Sequence, residues 1–168
     1  MNDSFIPLLQ FFVTVGEVVG RKKCQKLIHI LQECGHDFGF DFKLALYGAY
    51  SSGLQARLED FVDNRYIQEV PEVTGPAGYP TSKFVANRRN EVILKILGQD
   101  KEPSWKGLAV ALNQRRTRVL EAASTILYLR RGGTRGENLE QKFAVLKPHL
   151  TDIFDEGKQL ADELRPAS

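Results

Sequence analysis

Long apolar runs, cysteine and histidine are scarce in this sequence, and each shortage closes a class of chemistry. The greasiest stretch, Phe5 to Val19, is interrupted by Gln10, Thr14 and Gly16, so no segment approaches the roughly 18 apolar residues that a bilayer span needs. The start, MNDSF, carries an acid and no lysine or arginine, which speaks against a secretory leader and makes the expected location cytoplasmic. The only two cysteines, Cys24 and Cys34, lie ten residues apart on one predicted helix. A bridge would have to cross about 15 Å, far beyond a disulfide's reach, so they read as buried thiols. His29 and His36 lie close to them in sequence, but no pair has the two-to-four-residue spacing through which two side chains reach one zinc ion. No metal and no cofactor is expected.

What is present describes an ordinary globular chain. Its 168 residues, 42% hydrophobic and 26% charged, suffice for one core, or for a small domain with a helical annex. Only the last few residues, after Arg165, read as disordered. The net charge of +2 hides a segregation. Residues 101–135 hold eight basic against two acidic side chains, whereas residues 136–168 hold four against seven.

Periodicity lays out the elements. Phe5, Leu8, Leu9, Phe12 and Val13 share one face of a first helix that Ser4 can cap and Gly16 ends. A second helix starts near Arg21, with Cys24, Leu27, Ile28, Leu31 and Cys34 in step and Gly35 as its stop. Phe38, Phe40, Phe42, Leu44 and Leu46 then occupy every second position, the mark of a half-buried strand. A small-residue corner leads into a third helix lined by Leu54, Leu58, Phe61 and Val62 and capped by Ser51 or Ser52. Tyr66 to Val70 and Tyr79 to Val85 flank PEVTGPAG as a hairpin, and Pro80 confines its strand to an edge. Asn87 can cap a short helix through Ile96, Ser104 a long helical stretch to Arg131, and two more helices flank Pro148. The expected fold class is α+β and mostly helical. It comprises a winged-helix-like module over residues 1–98, with the hairpin as wing, and a C-terminal helical extension over residues 99–168 packed on it.

Three stretches, GRKKCQKLIHIL, LYGAYSSGL and LKPHL, resemble the YwgA-like family of uncharacterised bacterial proteins, and the resemblance covers most of the chain. It implies a winged-helix module with a helical tail. A more remote similarity runs to proteolytic-adaptor and antitoxin-associated families with a YGP-type corner. Ala49 stands here where that pattern has proline, and Cys24 where it has leucine, which bears on how rigid the corner is.

The motifs favour plain readings. Ser51 sits in a strand–turn–helix context, but Gly48-x-x-Ser51-x-Gly53 is one residue too long for a nucleophile elbow. No histidine has the sequence context of a triad partner. The glycines of LRRGGTRGENL follow a helix and lack a G-K-[ST] ending, so they read as a helix stop rather than a phosphate cradle. Residues 51–72 hold Arg57 and Arg65 against Glu59, Asp60, Asp63, Glu69 and Glu72, the wrong sign for a duplex whose affinity comes from neutralised phosphates. Sixteen residues also separate the second and third helices, where a helix-turn-helix uses three or four. Arg115 and Arg116 project near the apolar stripe, and they are expected to be partly buried against tail carboxylates such as Asp152, Asp155 or Glu156.

The sequence therefore points to a non-enzymatic regulatory or adaptor module that works by protein contact or self-association, with Ser51, Ser52, Gln55 and Asp60 as candidate contacts. The alternative is a DNA-binding regulator using Lys83, Arg88 and Arg89 beside the wing together with Arg130, Arg131 and Arg135.

Overall fold

The computed structural model describes residues 3–46 and 48–164. The expected disorder after Arg165 lies outside the described residues. Helix α1 (Phe5–Val15) buries Leu8, Leu9, Phe11 and Phe12 completely. Its first turn is capped by Asp3, whose Oδ1 accepts from the Phe5 amide at 2.9 Å. The expected cap, Ser4, instead accepts from Arg57 Nε on the third helix. Strand β1 (Glu17–Val19) leads to α2 (Arg21–Glu33), which stops at Gly35 with a φ of 94°.

Between α2 and the next helix lies a change from expectation. The alternation of Phe38, Phe40 and Phe42 yields no strand; only Lys43–Ala45 (β2) pairs, antiparallel, with Gly48–Tyr50 (β3). The phenylalanines still face inward, Phe38 fully buried and Phe40 and Phe42 packed against the core. Extended residues without a neighbouring backbone are not a sheet. Helix α3 (Ser52–Asp63) follows, and Ser51 Oγ accepts from the Leu54 amide at 3.1 Å, the cap that was expected. The hairpin β4 (Ile67–Thr74) and β5 (Tyr79–Ala86) joins β1 in a three-stranded antiparallel sheet of order β1-β5-β4. Its middle strand therefore carries Pro80. The expected edge position of this strand is thus overturned; Pro80 is tolerated because β1 pairs only with residues 83–85 and leaves it flanked on one side alone.

The rest is helical. Helix α4 (Arg89–Ile96) is capped by Asn87, whose Oδ1 accepts from the Arg89 amide. The expected long helix breaks into α5 (Lys106–Asn113) and α6 (Thr117–Arg131), and Ser104 makes no cap. After α6 the amides of Gly133 and Thr134 return to the carbonyls of Arg130 and Leu129, a helix stop as the glycines suggested. Helix α7 (Gly136–Leu146), a 3-10 turn (Pro148–Ile153) and α8 (Phe154–Glu163) complete the chain. The fold is α+β and mostly helical. One core cluster runs from Leu8 on α1 to Ala161 on α8, with α1 against α4 and α5, and α6 sandwiched between α2 and α8. Among the described residues no helix is long and apolar enough to cross a membrane.

Candidate functional site

A polar seam runs between α2 and α6. On α2, Lys22, Gln25, Lys26, His29, Gln32 and Glu33 fall three or four residues apart and share a side; on α6, Glu121, Ser124, Thr125, Tyr128 and Arg131 do the same. The two rows zip together: Lys22 Nζ meets Glu121 Oε2 at 2.8 Å, His29 Nδ1 meets Ser124 Oγ at 2.6 Å, and Arg131 Nη1 meets Glu33 Oε1 at 3.1 Å.

The segment between α2 and α3 lies along this seam and is held by side chains rather than strands. Gln25 brackets Ser51, its Nε2 donating to the carbonyl and its Oε1 accepting from the amide, both at 2.9 Å. Two turns later Gln32 brackets Phe40 in the same way, at 2.9 and 3.0 Å. Each amide side chain mimics a rung of sheet. Lys26 Nζ donates to the Ala49 carbonyl at 2.7 Å and Lys147 Nζ to that of Leu46 at 2.8 Å, so ammonium groups clamp the corner from beneath. Gly48, with a φ of 96°, sits between them; a Cβ there would stand 3.2 Å from Lys26 Nζ and 3.4 Å from Thr125 Oγ1. The GRKKCQKLIHIL, LYGAYSSGL and LKPHL stretches thus converge on one place.

The charges are unevenly matched. Glu121, 1% exposed, is shared by Lys22, by Lys147 at 3.4 Å and by His149 at 3.5 Å. Lys26 and Lys147 are as deeply buried. Burial pushes the Lys26 amine down to about 8, against the attraction of Glu121, and lowers Lys147 as well. Burial alone would raise the Glu121 carboxyl, but Lys22 and Lys147 outweigh it and hold the group below its usual range. Burial also lowers His29, which favours the neutral imidazole.

Ser124, His29 and Glu33 stand in the order hydroxyl, imidazole, carboxylate, with Glu33 Oε1 3.3 Å from His29 Nε2. That order resembles a nucleophile triad, but Ser124 is fully buried in the body of α6, where the neighbouring amides belong to the helix. A nucleophile needs an open face and free oxyanion donors. The relay is a structural tie between helices.

The residues singled out from the sequence fall in separate places. Ser51 is 1% exposed, its hydroxyl spent on the cap, so of the four candidate contacts only Ser52, Gln55 and Asp60 reach the surface. Lys83 bridges Glu17 and Glu72. Arg89 donates to the Asn64 carbonyl and lies over the Tyr66 ring, and Arg88 is exposed at the start of α4. Arg130 pairs with Asp162 at 2.7 Å, Arg131 with Glu33, and Arg135 donates to the Arg130 and Thr134 carbonyls. Arg21, at the start of α2, is tied to Glu69 of the hairpin, whereas Glu33 and Arg131 stand at its other end, about 18 Å away. Lys83 and the Arg130 group therefore occupy different ends of the molecule. The expected pairing of the basic segment with the tail is present, as Arg115–Glu163, Arg116–Glu156 and Arg118–Asp152. Arg116 is not buried, however, because the break between α5 and α6 turns it outward, 65% exposed.

No family model matches the chain. It is 30% identical over 168 residues to the uncharacterised protein YwgA of Bacillus subtilis, a match that covers 98% of each chain. It is also 36% identical over 75 residues to a DNA ADP-ribosyl glycohydrolase of Thermus aquaticus; that match covers 43% of this chain and 20% of the other protein.

Proposed function

We infer that this chain, which belongs to the YwgA-like family, is a regulatory or adaptor module that works in the cytoplasm by contact with another protein. The observation that carries the reading is the corner. Three buried side chains, Gln25, Lys26 and Lys147, hold its inner side, while Leu46, 79% exposed, and Tyr50, 40% exposed, face outward beside Ser52, Gln55 and Asp60 of α3. A segment ordered at this cost in buried charge and then presented to solvent is preorganised for contact. We read the order α1, β1, α2, α3 and hairpin, with strand order β1-β5-β4, as a winged-helix-like module over residues 1–98, with residues 99–168 as its packed extension.

The 75-residue match to the relative named DNA ADP-ribosyl glycohydrolase supports the recurrence of part of this chain within a larger protein. That name speaks of DNA, and contact with DNA is the one element it lends to the second reading, a DNA-binding regulator. The exposed carboxylates Glu59, Asp60 and Asp63 on α3 weigh against it.

Light scattering and partner capture separate the two. The expected result is a dimer, or a co-purifying protein, that is lost in Gln55→Arg and Asp60→Arg variants of unchanged melting temperature. A mobility shift with duplex DNA that persists at physiological salt and weakens in Arg88→Ala/Arg89→Ala would replace this reading by the second.

A further inference from the structure

At the end of the seam remote from the hairpin, the segment around Phe42 stands off the C-terminal ends of α2 and α6 and leaves a cleft of about 340 Å³, within the range of small-molecule sites. On the other side of the Glu33–Arg131 pair, which lines both, lies a second hollow of about 600 Å³ walled by arginines. We propose that this double cleft binds a nucleotide, with the base against Phe42, His29 and Tyr128 and the phosphate on Arg131 and Arg135.

The order of chemistry along the cleft carries the proposal. Its inner part is aromatic: the Phe42 and Tyr128 ring centroids lie 4.9 and 6.1 Å from that of His29, and every base offers a flat face to such a surface. His29 Nε2, in a side chain 1% exposed, stands 3.3 Å from Glu33 Oε1, at ion-pair distance but short of full hydrogen-bond geometry. A buried polar atom so poorly partnered is costly, and the edge of a base would supply a better-aligned partner. Next comes the Glu33 carboxylate, an acceptor for ribose hydroxyls. Beyond it Arg131 is 74% exposed, and Arg135, also exposed, spends one nitrogen on backbone carbonyls; planar guanidinium forks suit phosphate. A purely apolar ligand would leave the poorly aligned His29 Nε2 unanswered, and a bare anion would confront the Glu33 carboxylate. A nucleotide answers all three parts. The inference stands independently of the protein-contact reading.

The test uses the full chain, labelled with nitrogen-15 at histidine, titrated with AMP, CMP, adenosine and a single-stranded adenine hexanucleotide and followed by NMR and calorimetry. Saturable binding of AMP or CMP that shifts the His29 ring signals is expected, with adenosine at least about ten-fold weaker for lack of the phosphate. Arg131→Ala, at an exposed position, and Tyr128→Leu should each weaken binding about ten-fold with circular dichroism unchanged. Tighter binding of the hexanucleotide than of AMP, lost in the same variants, would identify a single strand as the source of the nucleotide; the reverse order would identify free nucleotide. Absence of saturation by all the phosphorylated probes at about 5 mM, or binding indifferent to both variants, overturns the proposal.

Discussion

Among single residues, Lys26 is the most consequential. Its amine is buried, bonded to the Ala49 carbonyl, and lowered by burial from 10.5 to about 8. Below about pH 8 both the folded and the unfolded chain carry the proton, and the desolvation cost is present in full. Between about 8 and 10.5 the unfolded chain binds more protons than the folded one, so this group makes stability rise with pH. Lys26→Met should remove that rise, worth roughly 3 kcal/mol at most across the window. Near neutrality it should change stability little, because a lost buried charge offsets an orphaned carbonyl. Urea denaturation of both proteins at pH 7, 9 and 10 checks this; parallel pH profiles would contradict it. Nothing in GRKKCQKLIHIL announced the burial, since lysine is the residue least expected inside a core. Its only mark was a place on the same helical side as Lys22 and His29.

At the scale of elements, α6 and α8 meet unusually closely. Gly157 faces Ala122, and a Cβ on it would lie 2.5 Å from the Ala122 Cβ and 3.2 Å from backbone. Gly157→Ala must therefore push the helices apart, at a cost of about 1–3 kcal/mol, against the modest gain in helix propensity that alanine brings. Calorimetry should record a melting temperature lower by about 2–8 °C; an unchanged or higher one would mean that the contact is loose. Helix boundaries set by glycine and asparagine, such as Gly16, Gly35 and Asn87, were legible because a cap is local chemistry. The 38–46 segment was not: its alternation recorded which side chains turn inward, but the partners of its backbone are the side chains of Gln25 and Gln32, and glutamine on a helix carries no sign of that duty.

Over the whole molecule, the charge segregation seen in the sequence resolves into contacts. The basic stretch of α6 pairs with the acidic tail through Arg116–Glu156, Arg118–Asp152 and Arg130–Asp162. Each exposed pair adds little stability, but together they spend the charge that a polyanion would need. The protein should leave heparin below about 0.2 M salt, and Arg116→Ala/Arg118→Ala should scarcely shift its elution. Retention to higher salt, abolished by those changes, would show that the pairs open for an outside anion.

The sequence by itself determined most of the helices, the stops and starts at Gly16, Gly35 and Asn87, the hairpin, the fold class and the plain role of Ser51 as a cap, because each follows from periodicity or from hydrogen bonds within a few residues; the caps expected at Ser4 and Ser104 and the unbroken helix to Arg131 did not form. Only the tertiary structure decided which charges are buried and what they hold. Lys147 and Leu46 are 101 residues apart in the chain, and His29 and Ser124 are 95 apart. The energy of a buried charge depends on what surrounds it in space, and that neighbourhood exists only once α2, α6 and the corner have closed on one another.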